Sequence, residues 1–304
     1  MIRTPTSSST EGGERTASVG SFTDVLDQTG PRPDELASRE PKKKYSEVFS
    51  NKIAILIANR LRATNNFKGE ILPLPSGQGR ESAIPSGAFN KAKKTDVNYS
   101  TLSGLELLVS IKTLGFRDVQ RRAGANGPRI GRYTKNMVRN DHELRAEAME
   151  FHERYPFAVL AALFFIPRDS CDDGAPSDKS SFAHAVMTFR SRAGRVRPDD
   201  PAQLFELFYI GLYDHSGPER GRVEFFDVMD PPRRNGVPRR LVSLDQVIKR
   251  IVEVYGLRNR LYIPFEEDED DSESATPRLT RAADTDAVSD DINGEADDET
   301  DTDD

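Results

Sequence analysis

Residues 94–113 read KTDVNYSTLSGLELLVSIKT, with Asp96 opening one short apolar stretch and Lys112 closing the next. An ammonium is costly to bury unless a partner neutralises it, so a lysine ending an apolar strand calls for an acid nearby. Alternate residues of a strand share a face, which puts Glu106, Leu108, Ser110 and Lys112 on one side and Leu107, Val109 and Ile111 on the other. Ser110 and Lys112 are then neighbours about 7 Å apart along their face. A hairpin would set Asp96 beside the carboxyl half of the second strand. A carboxylate and an ammonium facing one pocket suit phosphodiester hydrolysis. There a divalent cation neutralises phosphoryl charge and lowers the pKa of water, while the lysine orients that water or shares the charge.

An Asp followed at a distance by an acid-x-Lys tripeptide at a strand end resembles the PD-(D/E)xK nucleases, many of them type II restriction endonucleases. The resemblance implies an αβββαβ core, a Mg²⁺ cofactor, Asp96 as metal ligand and Lys112 as catalytic lysine. It also implies a carboxylate early in the first helix, here Glu47. The departure is Ser110, which stands where the family has an acid, and a hydroxyl is a weak ligand for a hard cation. A branch of restriction enzymes carries such an S-x-K and takes its second carboxylate from the following helix. Here that helix offers Glu143 and Glu147 on one face at i, i+4, with Glu150 close by. Glu147, a turn inside the helix, is the favoured ligand and Glu143 the alternative. The plain alternatives are a structural ion pair for Asp96 and Lys112 and solvated helix-face charges for Glu143, Glu147 and Glu47.

Between Gly115 and Asn140 lie Arg117, Arg121, Arg122, Arg129, Arg132, Lys135 and Arg139 against Asp118 alone. Such a loop would neutralise phosphates and orient a nucleic acid, and its arginines could read guanine edges. The segment PRRNGVPRR, residues 232–240, is a second basic surface loop with an Asn-Gly turn.

The elements that must hold these groups follow from periodicity. Apolar residues from Ser46 to Leu61 fall mostly at helical spacing, with Glu47 in the first turn. Strands are expected at 71–75, 95–99 and 104–114, with loops at 76–93 and 115–139. A second helix follows, capped by Asn140 or Asp141. The apolar run Phe157–Ile166, bounded by prolines, reads as a strand covered on both faces. Further on, a helix is expected near 178–193, strands near 204–213 and 222–229, and a helix near 244–256 with Ser243 and Gln246 as a capping box. The expected fold is thus an α/β domain over residues 42–265. It would have a restriction-endonuclease-like core, a mixed sheet flanked by helices, additional strands and a C-terminal helix.

Composition bounds the rest. The chain has 304 residues, of which 36% are apolar and 31% charged, too few core formers for order throughout. The deficit lies at the ends, so residues 1–41 and 266–304 are expected to be disordered. The last 39 residues hold 18 acids and two arginines, a net of −16 within a chain of −7, so residues 1–265 carry +9. A body of that sign suits a phosphate-rich partner, DNA first of all, and the tail could compete for the same surface. One cysteine and four scattered histidines exclude a disulfide framework and a structural zinc site. No signal-peptide run or membrane-length apolar stretch is present, so a cytoplasmic protein without a membrane partner is expected. Double-strand cutting by such a fold implies a homodimer, and a restriction role implies a cognate methyltransferase.

Overall fold

The structure, a computed structural model, describes residues 18–86, 91–124, 127–175 and 177–259. Its scaffold is a six-stranded mixed sheet with helices on both faces. In chain order the elements are α1 (Phe22–Thr29), α2 (Arg39–Arg62), β1 (Ile71–Leu72), β2 (Ser82–Ser86), β3 (Lys91–Thr95), β4 (Val97–Thr101) and β5 (Gly104–Thr113). There follow β6 (Val119–Gly124), β7 (Gly127–Ile130), α3 (Met137–Arg154), β8 (Val159–Pro167), α4 (Ser181–Phe189), β9 (Leu207–Tyr213), β10 (Val223–Asp227) and α5 (Leu244–Asn259). The sheet runs β1-β4-β5-β8-β9-β10, with β5, β8 and β9 parallel to one another and the remaining pairs antiparallel. Parallel neighbours need a crossover; α3 lies in the one from β5 to β8 and α4 in the one from β8 to β9.

The side-chain alternation of the strands divides the core in two. Leu107, Val109, Ile111, Val159, Ala161, Leu163 and Phe165 pack against α1, α2 and α5. Leu108, Leu160, Ala162, Phe164, Ile166, Phe208 and Ile210 pack against α3 and α4. Every residue of β8 is buried, as its unbroken apolar run requires of a central strand. At Gly211 of β9 an added Cβ would stand 2.9 Å from the Phe165 ring, so only glycine lets that ring lie against the sheet.

Several expectations need correction. Residues 18–41 are not structureless: Ser21 and Asp24 close a capping box on α1, and Phe22, Val25 and Leu26 are buried. Few apolar residues suffice there because Phe22 packs on Phe49, Phe165 and Tyr213. Helix α2 starts at Arg39 rather than near Ser46, so Glu47 lies about two turns inside it. The segments 76–93 and 115–139, expected as loops, hold paired strands: β2 with β3, which runs on to Thr95, and β6 with β7. Helix α3 begins at Met137 after Asn136, which has φ of 68°. Asp141 is not a cap; it holds Arg192 through two bonds of 2.7 Å.

Strand β5 also departs from plain alternation. Its register against β4 shifts between Tyr99↔Leu107 and Ser100↔Leu105, leaving Glu106 as an extra residue. The bulge re-aims that side chain, and Glu106 accepts a hydrogen bond from the Tyr255 hydroxyl of α5 at 2.6 Å instead of sharing the Ser110 face. The Ser243–Gln246 capping box of α5 is present, with bonds of 2.8 and 3.2 Å. No helix among the described residues is long and apolar enough to cross a membrane. The acidic segment 266–304 and residues 1–17 lie outside the described residues.

Candidate active site

The carboxyl half of β5 brings three of the expected residues together through backbone register alone. Asp96 sits between β3 and β4, and Val97 pairs with Val109. The Asp96 carboxylate therefore reaches the far end of β5, where its Oδ2 accepts a hydrogen bond from the Ile111 backbone N–H at 2.7 Å. Ser110 and Lys112 point to the α3 face. The Ser110 hydroxyl donates to Glu147 Oε1 at 2.5 Å, and Lys112 Nζ lies 3.7 Å from Glu147 Oε2. Ser110 is thus a donor to a carboxylate supplied from α3.

Glu147 is 4% exposed and Ser110 fully buried, so this is a desolvated contact, and desolvation strengthens it. Electrostatics couple the groups. Burial and the neighbouring Glu147 carboxylate push Asp96 up to about 6, against the opposing pull of the Ile111 N–H and the Lys112 ammonium. Burial alone would lower the Lys112 pKa, but Glu147, Asp96 and Glu143 together outweigh it and raise it. Lys112 is therefore an ammonium at neutral pH. It can donate a hydrogen bond or share charge, and it is not a base.

Glu143 is further out. It is half-exposed, bonds Arg139 at 2.7 Å and lies 3.8 Å from Lys112. Among the described residues, no three of His, Cys, Asp and Glu converge as a metal cage, so Glu143 does not complete a three-acid set with Asp96 and Glu147. Mg²⁺ is commonly bound by one or two carboxylates together with water and substrate phosphates. Asp96 and Glu147, close enough to repel one another, fit that mode and not an all-protein cage. Glu47 takes no part: it is exposed on α2 and pairs with Lys43 at 3.7 Å.

The cationic loop divides among several places. Arg117 pairs with Asp169 at 2.7 Å and lies over the Tyr133 ring. Lys135 is exposed; its backbone N–H and the Thr134 hydroxyl bond the Asp118 carboxylate. Arg132 donates to the Lys179 carbonyl at 3.0 Å, and Arg129 is exposed on β7. The side chains of Arg121 and Arg122 lie outside the described residues.

A cleft of about 670 Å³ opens where β5 ends. Its walls carry Arg117, Lys135 and Arg139, and also Arg39, Lys42 and Lys43 from the start of α2, against Asp118. Sequence reasoning misses the α2 cations, although the run EPKKKY at 40–45 signals them. That run straddles the edge of a segment expected to be disordered, and the segment proves to be part of the wall. The floor is braced from the same segment: Arg32 bonds the Gly115 carbonyl at 2.7 Å, and Glu35 accepts from the Arg117 N–H at 3.0 Å. The arrangement defines a mixed-sheet α/β protein with an acid–lysine cluster at a strand end beside a cationic cleft. Comparison of the chain with protein-family models, curated proteins and solved structures gives no match.

Proposed function

We propose that this protein is a Mg²⁺-dependent DNA endonuclease of restriction or defence type. The observation that carries the reading is the bond from Ser110 to Glu147, which puts a helix carboxylate beside Lys112 where a strand acid would otherwise stand. Asp96 and Glu147 would hold Mg²⁺, with the phosphate and water completing its shell. Bound there, the metal supplies charge neutralisation at the phosphoryl oxygens and a more acidic water. The Lys112 ammonium, fixed by its acids, donates to the attacking water or to a phosphoryl oxygen. Ser110 fixes the Glu147 rotamer, and Arg117, Lys135 and Arg139 with the α2 cations hold the backbone of the DNA in the cleft. A cytoplasmic setting, a homodimer for double-strand cutting and a methyltransferase partner belong to the same proposal.

The lack of a third converging acid among the described residues favours a second reading, a nucleic-acid-binding or regulatory protein on the same scaffold that does not cut. Incubation of supercoiled plasmid with Mg²⁺ separates the two. Nicking or linearisation is expected, reduced at least ~100-fold in Lys112→Ala, Asp96→Asn and Glu147→Gln, the scale on which single electrostatic groups act in catalysis. Retention of plasmid without cleavage by the unsubstituted protein would select the second reading.

A further inference from the structure

A second basic cleft, of about 550 Å³, takes one of its lining residues, Arg132, from the segment that separates β7 from α3. It carries Arg132, Lys179 and Arg234 against Asp178, over a floor that includes Ala183, Met187 and Pro232. Arg132 and Arg234 spend their hydrogen bonds on backbone, donating to the carbonyls of Lys179 and Ser177. Neither forms an ion pair with an acid among the described residues, which leaves their charge for an outside anion. Lys179 approaches the Met187 sulfur at 3.6 Å. Met187 is 59% exposed, an apolar patch set among charges. The nearby imidazole registers the field, since burial first, and then Lys179 and Arg132, hold His184 below its usual pKa.

The basic loop 232–240 is built into this wall rather than hanging from it. Ser180 N–H bonds the Arg234 carbonyl at 2.9 Å and Gly236 N–H bonds the Cys171 carbonyl at 2.8 Å, while the Asn235 amide bonds the Asp178 carbonyl at 2.9 Å. The position of Arg234 is thereby set by three attachments, two between backbone groups and one from the Asn235 side chain.

The two clefts meet at one stretch of chain. Arg132 faces the second and Lys135 the first, and three peptide steps span at most about 11 Å. Asp118 fixes that stretch, donating its N–H to the Arg132 carbonyl and accepting from Thr134 and Lys135. We infer that Arg132, Lys179 and Arg234 form a second DNA-backbone site, continuous with the active-site cleft across residues 132–135. The ligand class follows from the lining. Three cations on a surface that shares residues 132–135 with the first cleft match successive phosphates of one duplex backbone. The inference rests on the nuclease reading and deepens it: the substrate is a duplex that extends well beyond the scissile phosphate.

Binding of a duplex of about 24 base pairs, at ~3.4 Å of helix per pair, without divalent cation tests this. Affinity would be followed across a salt series by fluorescence anisotropy for the full chain, for the Lys179→Ala/Arg234→Ala variant and for a control, Arg197→Ala/Lys249→Ala, whose cations line neither cleft. All four side chains are exposed, so an unchanged melting temperature is expected. The slope of log affinity against log salt is expected to fall by about 2 in the variant, at about 0.9 for each phosphate that a side chain no longer neutralises, and to stay the same in the control. An unchanged slope in the variant, or an equal fall in the control, would overturn this site and leave the proposed activity standing. Failure of the unsubstituted chain to bind the duplex would overturn both.

Discussion

Asp96 shows how a single carboxyl can set the pH response of the site. Its folded pKa of about 6 lies above the usual 3.8. Between pH 4 and 6 the folded protein keeps a proton that the unfolded chain has released, so stability falls as pH rises through that window. The penalty is complete above pH 6 and amounts to roughly 3 kcal/mol at 1.36 kcal/mol per unit. Asp96→Asn keeps an acceptor for the Ile111 N–H and carries no charge. It is expected to be more stable than the unsubstituted chain by about 1–3 kcal/mol at pH 7.5 and no more stable at pH 4, which urea melts at the two pH values would show. The proposed cleavage should decline as pH drops below 6, because a proton on Asp96 would compete with a metal ion for the same oxygen. Ser110→Ala removes the hydroxyl bonded to the buried Glu147 carboxylate and is expected to cost about 1–3 kcal/mol in the same assay. If Ser110→Ala is as stable as the parent, the contact does not hold Glu147 in place.

At the scale of elements, the helices and strands with clear periodicity were legible, and so were the pieces that converge on the site. The alternation of β5 placed Ser110 and Lys112 on one face, and the i, i+4 pattern of α3 put Glu147 opposite them. The β5 bulge was not legible, since nothing in GLELLVSIKT distinguishes Glu106 from a regular outward residue until Tyr255 of α5 arrives to bond it. Nor was α1, whose eight residues are too few to show a period and are held by tertiary contact. Phe22 has ring contacts at 5.9 Å with Phe49 and Phe165 and 5.6 Å with Tyr213. Phe22→Ala should therefore cost about 3–5 kcal/mol by denaturant unfolding; a decrease under ~1 kcal/mol would mean that α1 is not part of the cooperative core. Hairpins β2–β3 and β6–β7 were hidden for a different reason. Their Gly, Ser, Lys and Arg content reads as loop, and partner strands rather than propensity decide such segments.

Across the whole molecule, the two ends of the sheet serve different purposes. Glu206 lies buried at the end away from Lys112, with Arg195 at 3.1 Å, Arg258 at 3.0 Å, His152 at 3.4 Å and the Leu160 N–H at 2.8 Å. Lys112 pairs with Phe164 on β8, four residues or about 13 Å beyond Leu160. The Glu206 cluster joins the last turns of α3 and α5 to the sheet. Its members run from His152 to Arg258, so no local pattern announces it. Glu206→Ala strands two buried guanidiniums and is expected to cost about 3–5 kcal/mol. Thermal unfolding should register the change, while the proposed Mg²⁺-dependent cleavage, per folded molecule, stays constant. A cleavage defect in the fully folded variant would show that the two ends are coupled.

The displaced register at Glu106 has a genetic consequence. Saturation mutagenesis across 104–113 should not yield one gradient of damage along the strand. Lesions at Leu105 and Glu106 should lower abundance and be rescued by growth at reduced temperature. Lesions at Lys112 should abolish the proposed activity at every temperature, whereas those at the buried Ser110 should lower abundance as well.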